Sequence, residues 1–258
     1  MVCIYGMETY STPYGKVTLY QNEVYIGTPF KQGSYWDIDT LSKLRQYIDP
    51  NRNILEIGAH CGTSTLVYAS FLSPKNRIYA YEPQRNMYNV LVKNIHQNDL
   101  QKKILPYPFG VFCYQGAGKM NGTDLDGGGG RVDKRYTDEN HLQCNFGGIG
   151  LGSDGEEIQL TTIDQMKLDD IGYIHCDAQG SENFIFAKGL STLHRCRPII
   201  YYENNEFGDR FLYDQVCRTH PSYRKESRFN IKKYCMEQLQ YTYCIDRFNG
   251  GLDTLLIP

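Results

Sequence analysis

The chain has 258 residues, with 27 Lys and Arg against 29 Asp and Glu, for a net charge of −2. That length suits one domain with modest appendages and can bury a core around a central sheet. The charge argues against a general nucleic-acid binder, which carries a basic face, and no apolar run is long enough to span a membrane. The cysteines show neither zinc spacing nor a disulfide framework, and the start Met1-Val2-Cys3-Ile4-Tyr5-Gly6 has neither a basic leader nor an apolar signal core. A reducing, cytoplasmic compartment is expected. His141-x-x-Cys144 would be half a metal site, but no partner pair lies nearby, so no metal ligands are expected from it.

In chain order, Gly15-Lys16-Val17-Thr18-Leu19-Tyr20 and Val24-Tyr25-Ile26 read as a hairpin turning at Gln21-Asn22-Glu23. Asp39 or Thr40 is placed to cap a helix through Leu41, Leu44 and Ile48, stopped by Pro50. Asn53 to Gly58 is a short apolar run ending in glycine, which reads as a buried strand. Thr63 to Leu72 reads as a helix and Arg77 to Tyr81 as a second strand. Met87, Val90, Leu91 and Ile95 recur at helical spacing. A third strand is expected at Ile104 to Tyr107, blurred by Pro106 and Pro108.

From about Gln115 to Glu157 no period is visible, and the stretch contains Gly127-Gly128-Gly129-Gly130. Its glycine-rich part, 127–152, is read as either a lid or a surface loop. Pattern resumes at Glu157 to Thr161. Strands are expected at Tyr173 to Asp177 and Pro198 to Tyr202, with a helix at Phe184 to Leu190 between them. A last helix near Cys235 to Leu239 leads to a closing edge or returning strand at Leu255 to Pro258. Strands alternating with helices imply an α/β fold with a mostly parallel central sheet and helices on both faces. The expected organisation is an N-terminal extension over residues 1–50, hairpin plus helix, packed on a main domain over 51–258.

Such sheets bind ligands beyond the carboxyl ends of their strands. The first strand ends in Glu56-Ile57-Gly58-Ala59-His60-Cys61-Gly62. Its glycines permit a tight turn, but the spacing is not that of a dinucleotide site. Glu56 would repel a pyrophosphate and welcome an ammonium group. The second strand ends in Tyr81-Glu82-Pro83, where a carboxylate can accept both hydroxyls of a ribose. Either acid alone reads as a solvated turn carboxylate. Two at successive strand ends, with a glycine turn between them, point to a site.

These segments resemble the FkbM family of S-adenosylmethionine-dependent methyltransferases. The resemblance rests on Glu56-Ile57-Gly58-Ala59-His60-Cys61-Gly62, Ala80-Tyr81-Glu82-Pro83 and Lys93-Asn94-Ile95. It continues through Thr161-Thr162-Ile163-Asp164, His175-Cys176-Asp177-Ala178-Gln179-Gly180-Ser181-Glu182 and Pro198-Ile199-Ile200-Tyr201-Tyr202-Glu203. His175 stands where the family has lysine, and Gln179 where it has glutamate. The resemblance implies a Rossmann-like class I methyltransferase fold with a short N-terminal hairpin and helix extension. It implies S-adenosyl-L-methionine as cofactor and O-methylation, often of sugar hydroxyls.

By resemblance, Glu56, Gly58, His60 and Gly62, with Ala59 and Thr63 in the same turn, hold the methionine end of the cofactor. Glu82 and Pro83 take the ribose, Phe109 and Gly110 flank the adenine, and Asp177 sits by the sulfonium and the acceptor. The segment Phe30 to Trp36 reads equally as a fold over the cofactor or as an aromatic plug on the core. Asp177 is the first candidate for base or acceptor orienter, with Glu203 and Glu182 after it. His175 reads as a satisfied mid-strand histidine. Asp177, Glu203 and Asn204 also offer oxygen ligands for Mg²⁺, the less favoured option.

A sugar or glycan acceptor is expected, with no membrane partner, and homo-oligomerisation stays open. Two rivals remain. Arg218, Arg224, Lys225, Arg228, Lys232 and Lys233, interleaved with Tyr223, Phe229 and Tyr234, would suit an RNA ribose methyltransferase, although no lysine flanks Asp177 and a solvated helix face explains the charges as well. The changes at His175 and Gln179 would suit a non-catalytic scaffold.

Overall fold

The computed structural model describes residues 6–23, 25–120, 145–152, 155–204 and 228–258. The chain opens with an antiparallel hairpin of β1 (Met7–Thr12) and β2 (Gly15–Tyr20), followed by the short helices α1 (Gly27–Lys31) and α2 (Ile38–Leu44). The partner of Gly15–Tyr20 is therefore β1 rather than 24–26. β1 is mostly exposed and polar, so its pairing leaves no apolar signal in the sequence. Tyr25 and Ile26 form a turn into α1 instead, and Val24 lies outside the described residues. The residue ahead of α2 is Asp37, in a left-handed conformation (φ 49°), so Asp39 and Thr40 sit inside the helix rather than capping it.

The core then alternates strand and helix. β3 (Asn53–Ile57), α3 (Thr63–Phe71), β4 (Ile78–Tyr81), α4 (Arg85–Gln97) and β5 (Ile104–Tyr107) form the first half. β9 (Ile171–Cys176), α5 (Glu182–Phe186), α6 (Leu190–Cys196) and β10 (Ile199–Glu203) continue it. The single helix expected over 184–190 is thus two, broken at Gly189, where a Cβ would meet Ile163 at 2.9 Å. α7 (Ile231–Glu237), β11 (Tyr243–Ile245) and β12 (Asp253–Ile257) close the chain.

Seven strands form one sheet in the order β5-β4-β3-β9-β10-β12-β11. The first five are mutually parallel, β12 runs antiparallel to β10, and β11 antiparallel to β12. Pro106 is accommodated because β5 is an edge strand. The central strands are apolar on both sides, as strands covered on both faces must be. Ile54, Ile78 and Tyr173 pack toward α3 and α4, whereas Leu55, Ile57 and Ile174 pack toward α5, α6 and α7. The expected mostly parallel α/β architecture is the one observed. A separate three-stranded sheet of β6 (Phe109–Val111), β8 (Glu157–Thr161) and β7 (Gly116–Lys119) sits beside it. β7 falls in the stretch where the sequence shows no period, because its glycines and lysine carry no alternation. Gly127 to Gly130 and the His141/Cys144 pair lie outside the described residues. Among the described residues no helix is long and apolar enough to cross a membrane.

A buried amide on α4 helps tie the N-terminal segment to the core, beside Gln97 and Asn98 of the same helix, which bond Lys16 of β2. Asn94 of α4 shares the apolar stripe of Met87, Val90, Leu91 and Ile95 and is fully buried. Its Oδ1 accepts from the Thr18 amide at 2.7 Å, and its Nδ2 donates to the carbonyls of Thr18 at 3.0 Å and Cys61 at 2.8 Å. One side chain thus satisfies β2 and the turn after β3 together. The Tyr35 hydroxyl adds a bond to the Thr63 carbonyl at 2.8 Å, with Phe30 packed on its ring. Replacing Asn94 by alanine leaves three backbone groups buried without partners. Asn94→Ala is expected to lower unfolding stability by on the order of 3 kcal/mol, read from a denaturant midpoint shift at unchanged slope. A midpoint within error of the parent would show that the hairpin is not anchored there.

Candidate active site

The sheet reverses its winding between β3 and β9, which is where parallel sheets of this kind open a ligand crevice. A pocket of about 840 Å³, open mouth included, lies over those strand ends. Its floor is the turn after β3. Gly58 adopts φ 82°, and a Cβ there would come within 1.8 Å of the Asp177 carbonyl oxygen, so only glycine lets this turn pass under the end of β9. The Gly58 and Ala59 amides both donate to the Tyr81 carbonyl, at 2.9 and 3.0 Å.

Glu82 closes the other side. It is 3% exposed and lines the pocket. Oε2 accepts from the His60 amide and Oε1 from the Gln84 amide, both at 2.8 Å. Burial raises its carboxyl from the usual 4.5 to about 7, against the two amide bonds, which favour the charged form. His60 stands beside it at φ 51°, and burial pushes its imidazole down to about 4. Both its ring nitrogens are buried without a hydrogen-bond partner, as are Ser181 Oγ and Gln179 Oε1, and all three side chains border the pocket. Orphaned polar atoms around one cavity mark where ligand groups belong.

The predicted residues divide cleanly by position. Gly58, His60, Glu82, Pro83, Phe109, Gly110 and Asp177 line the pocket. Gly110 is pressed between Leu160 and Ile158, at 2.7 and 3.0 Å from a would-be Cβ, which leaves the Phe109 ring at the rim. Ala59, Gly62 and Thr63 shape the turn from behind and are absent from the pocket wall. Glu56 is also set back, fully buried. Its Oε1 accepts from the Ser64 hydroxyl at 2.6 Å, and its Oε2 has no partner. Glu182 sits behind Asp177, accepting from the Ala178 amide at 2.7 Å.

Asp177 is reached from the pocket, and the surrounding protein still raises its carboxyl above the usual range, against the charge of His175 and the Gln179 hydrogen bond. Gln179, at φ 53°, donates Nε2 to Asp177 Oδ1 at 2.9 Å and to Glu203 Oε2 at 3.3 Å. Carboxylate oxygens of Asp177, Glu182 and Glu203 all lie within 4.8 Å of one another. An amide donor already bridges two of them, so the set does not fit a resident Mg²⁺.

Tyr25 and Met120 of the apolar wall were not foreseen. Tyr25, Trp36, Met120, Ile149 and Leu151 complete the pocket. Tyr25 and Trp36 face each other with ring centroids 5.3 Å apart. Glu23 holds this wall in place, taking the Tyr25 and Ile26 amides on Oε1 and the Phe146 amide on Oε2 at 3.0 Å. In the segment 30–36, Phe30 and Tyr35 pack into the core, and Trp36 lines the pocket. Of the glycine-rich stretch, Gly147, Ile149, Gly150 and Leu151 border the cavity, and 127–144 lies outside the described residues. So do Arg218, Tyr223, Arg224 and Lys225 of the basic stretch. Lys232 pairs with Asp246, and Lys233 reaches Glu237 at 4.0 Å.

Residues 56–229 match the family described as the methyltransferase FkbM domain. The chain belongs to the FkbM methyltransferase family. Its sheet, with one reversed strand next to last at the edge, is accordingly a Rossmann-like class I methyltransferase sheet. No curated protein matches the chain. Among solved structures it is similar to the methyltransferase FkbM of Methylobacillus flagellatus KT (14% identity, 67% of this chain, 39% of that one, TM-score 0.43). It is also similar to the O-methyltransferase of Bacillus cereus in complex with SAH (16% identity, 85% and 79% covered, TM-score 0.43). A methyltransferase of Geobacter sulfurreducens is a third (11% identity, 85% and 75% covered, TM-score 0.43). The chain spans 39% of the length of the Methylobacillus protein.

The raised Glu82 carboxyl makes stability depend on pH. A carboxyl that holds its proton more tightly when folded loses stability as pH rises from the unfolded value near 4.5 through about 7. Glu82→Gln removes that contribution. The stability difference between Glu82→Gln and the parent is expected to shift in favour of the variant by a few kcal/mol, about 3 at most, between pH 4.5 and 7. A pH-independent difference in chemical unfolding would show that Glu82 is not held protonated by burial.

Proposed function

We propose that this methyltransferase transfers the methyl group of S-adenosyl-L-methionine to a hydroxyl of a sugar or glycan. The observation that carries the cofactor reading is Glu82, a buried carboxylate at the end of β4 that lines the pocket directly beside the glycine turn of β3. Each Glu82 oxygen takes one backbone amide, leaving acceptor capacity for a vicinal diol.

The surrounding groups suit the rest of such a cofactor. Phe109, Gly110 and Pro83 offer a flat, close wall for a purine. His60 and Ser181 line the pocket with unsatisfied polar atoms, and Glu56, set back behind it, holds an unpaired carboxylate oxygen whose charge favours an ammonium group nearby. When bound, S-adenosyl-L-methionine supplies an electrophilic methyl on a positively charged sulfur. Asp177 faces the same cavity, and Gln179 fixes its orientation. Asp177 would orient the acceptor hydroxyl for in-line attack, where positioning supplies much of the rate.

Asp177 lines the pocket, and Asp37 and Asp253 lie close enough for its charge to raise their carboxyls. That acidic surrounding favours a neutral polyol over a phosphate backbone, which supports a sugar rather than RNA.

The test is transfer of radiolabelled methyl from S-adenosyl-L-methionine to a panel of neutral hexosides and pentosides, with polynucleotides as a second panel. Methylation of a glycoside hydroxyl is expected. Asp177→Asn should lower turnover by on the order of 100-fold with cofactor affinity little changed. Label entering polynucleotide and no glycoside would overturn the sugar assignment. Full turnover in Asp177→Asn would remove Asp177 from the chemistry.

A further inference from the structure

Two features of the pocket wall have no role in holding the cofactor. The first is aromatic. Tyr25 and Trp36 line the pocket with ring centroids 5.3 Å apart and planes tilted by 55°. Tyr25 is 55% exposed, yet its backbone is held, because its amide donates to the buried Glu23 carboxylate at 2.9 Å. Such rings offer large, rigid contact area at low cost in side-chain freedom. Trp36 directly precedes Asp37, whose carboxyl is raised by burial and further by the charge of Asp177. The segment carrying Trp36 therefore runs close to Asp177.

The second feature is Gln179, on the loop between β9 and α5. It is 6% exposed, in a left-handed conformation, and lines the pocket two residues from Asp177. Its Nε2 donates to Asp177 Oδ1 and to Glu203 Oε2, which spends both amide N–H groups. Turning the amide over would set its oxygen against two carboxylates, so its orientation is fixed. Oε1 is the one hydrogen-bonding group left on this side chain, and it is buried without a partner. An orphaned acceptor on a cavity wall calls for a donor from the ligand.

Asp177 and Gln179 Oε1 are thus two acceptors on side chains joined by one hydrogen bond. A ligand that meets both presents two O–H donors on neighbouring atoms. A sugar ring carries neighbouring hydroxyls on its edge and C–H groups on its face, and that face matches an aromatic surface. The tilt between the two rings makes the surface cupped rather than flat, which suits a puckered ring over a planar one. We propose that the acceptor is a pyranoside whose ring lies on Tyr25 and Trp36, with the hydroxyl to be methylated on Asp177 and a free neighbouring hydroxyl donating to Gln179 Oε1. This rests on the sugar reading above and narrows it. An acceptor that lacks the neighbouring hydroxyl leaves Oε1 without a donor and is rejected.

The test uses Trp36, the single tryptophan of the chain, as reporter. Its emission is followed in the intact chain saturated with S-adenosylhomocysteine. Methyl β-D-glucopyranoside, methyl β-D-galactopyranoside and methyl α-D-mannopyranoside are added in turn, with catechol as a planar diol control. A saturable change with at least one glycoside is expected, and none with catechol. Flat emission with every glycoside, in a chain whose S-adenosylhomocysteine binding is verified by calorimetry, would overturn the proposal and keep the cofactor reading. A response to catechol alone would do the same. If the methyl-transfer assay labels no glycoside, the sugar reading and this one fall together. Gln179 is tested with the responding glycoside and its monodeoxy analogues as acceptors. Loss of the hydroxyl next to the methylated one should lower kcat/KM roughly tenfold or more in the parent. In Gln179→Met the same loss should change kcat/KM by no more than about twofold. Equal losses in parent and variant would show that Gln179 only steadies Asp177, and would contradict the proposal.

Discussion

The site depends on one buried carboxylate. Glu82 takes the amides of His60 and Gln84, so it joins the turn after β3 to the start of α4. A carboxylate at 3% exposure is costly unless hydrogen-bonded, and two amide bonds offset only part of that cost. The remainder shows as a carboxyl near neutrality. A ligand that donates hydrogen bonds to the charged form recovers it. The same group that shapes the pocket is therefore the one with most to gain from a diol.

Around it the constraint is steric. Gly58 lets the turn run beneath the Asp177 carbonyl, and Gly110 lets β6 close against β8. These contacts bring the ends of β3, β4 and β9 to one cavity, although the strands come from distant parts of the chain. Residues before the family-matched segment complete that cavity. Trp36 lines its apolar wall, and Glu23 holds that wall in place through the amides of Tyr25, Ile26 and Phe146.

The parallel core was legible because its strands are apolar on both faces and end in glycine or acid. Glu56-Ile57-Gly58 and Tyr81-Glu82-Pro83 announce both a strand end and a ligand group. The hairpin was misread because β1 is exposed and polar, whereas Val24-Tyr25-Ile26 has strand chemistry without a strand's partner. Position along the strand placed Glu56 near the pocket but could not show that Ser64 and His175 face one of its oxygens. His175 was set aside for its mid-strand place. Glu56, Tyr68 and Tyr201 surround it, and those residues come from three other elements. The aromatic wall of Tyr25 and Trp36 carries no motif, and nothing in the local pattern separates it from core packing.

The most direct measurement is a calorimetric titration of the purified chain with S-adenosyl-L-methionine and S-adenosylhomocysteine, with NAD as control, repeated on Glu82→Ala. The account predicts micromolar binding of the first two, none of NAD, and at least about a tenfold loss in the variant, the equivalent of one hydrogen bond to a charged group. Absence of binding to a folded chain, or undiminished affinity in Glu82→Ala, would contradict it.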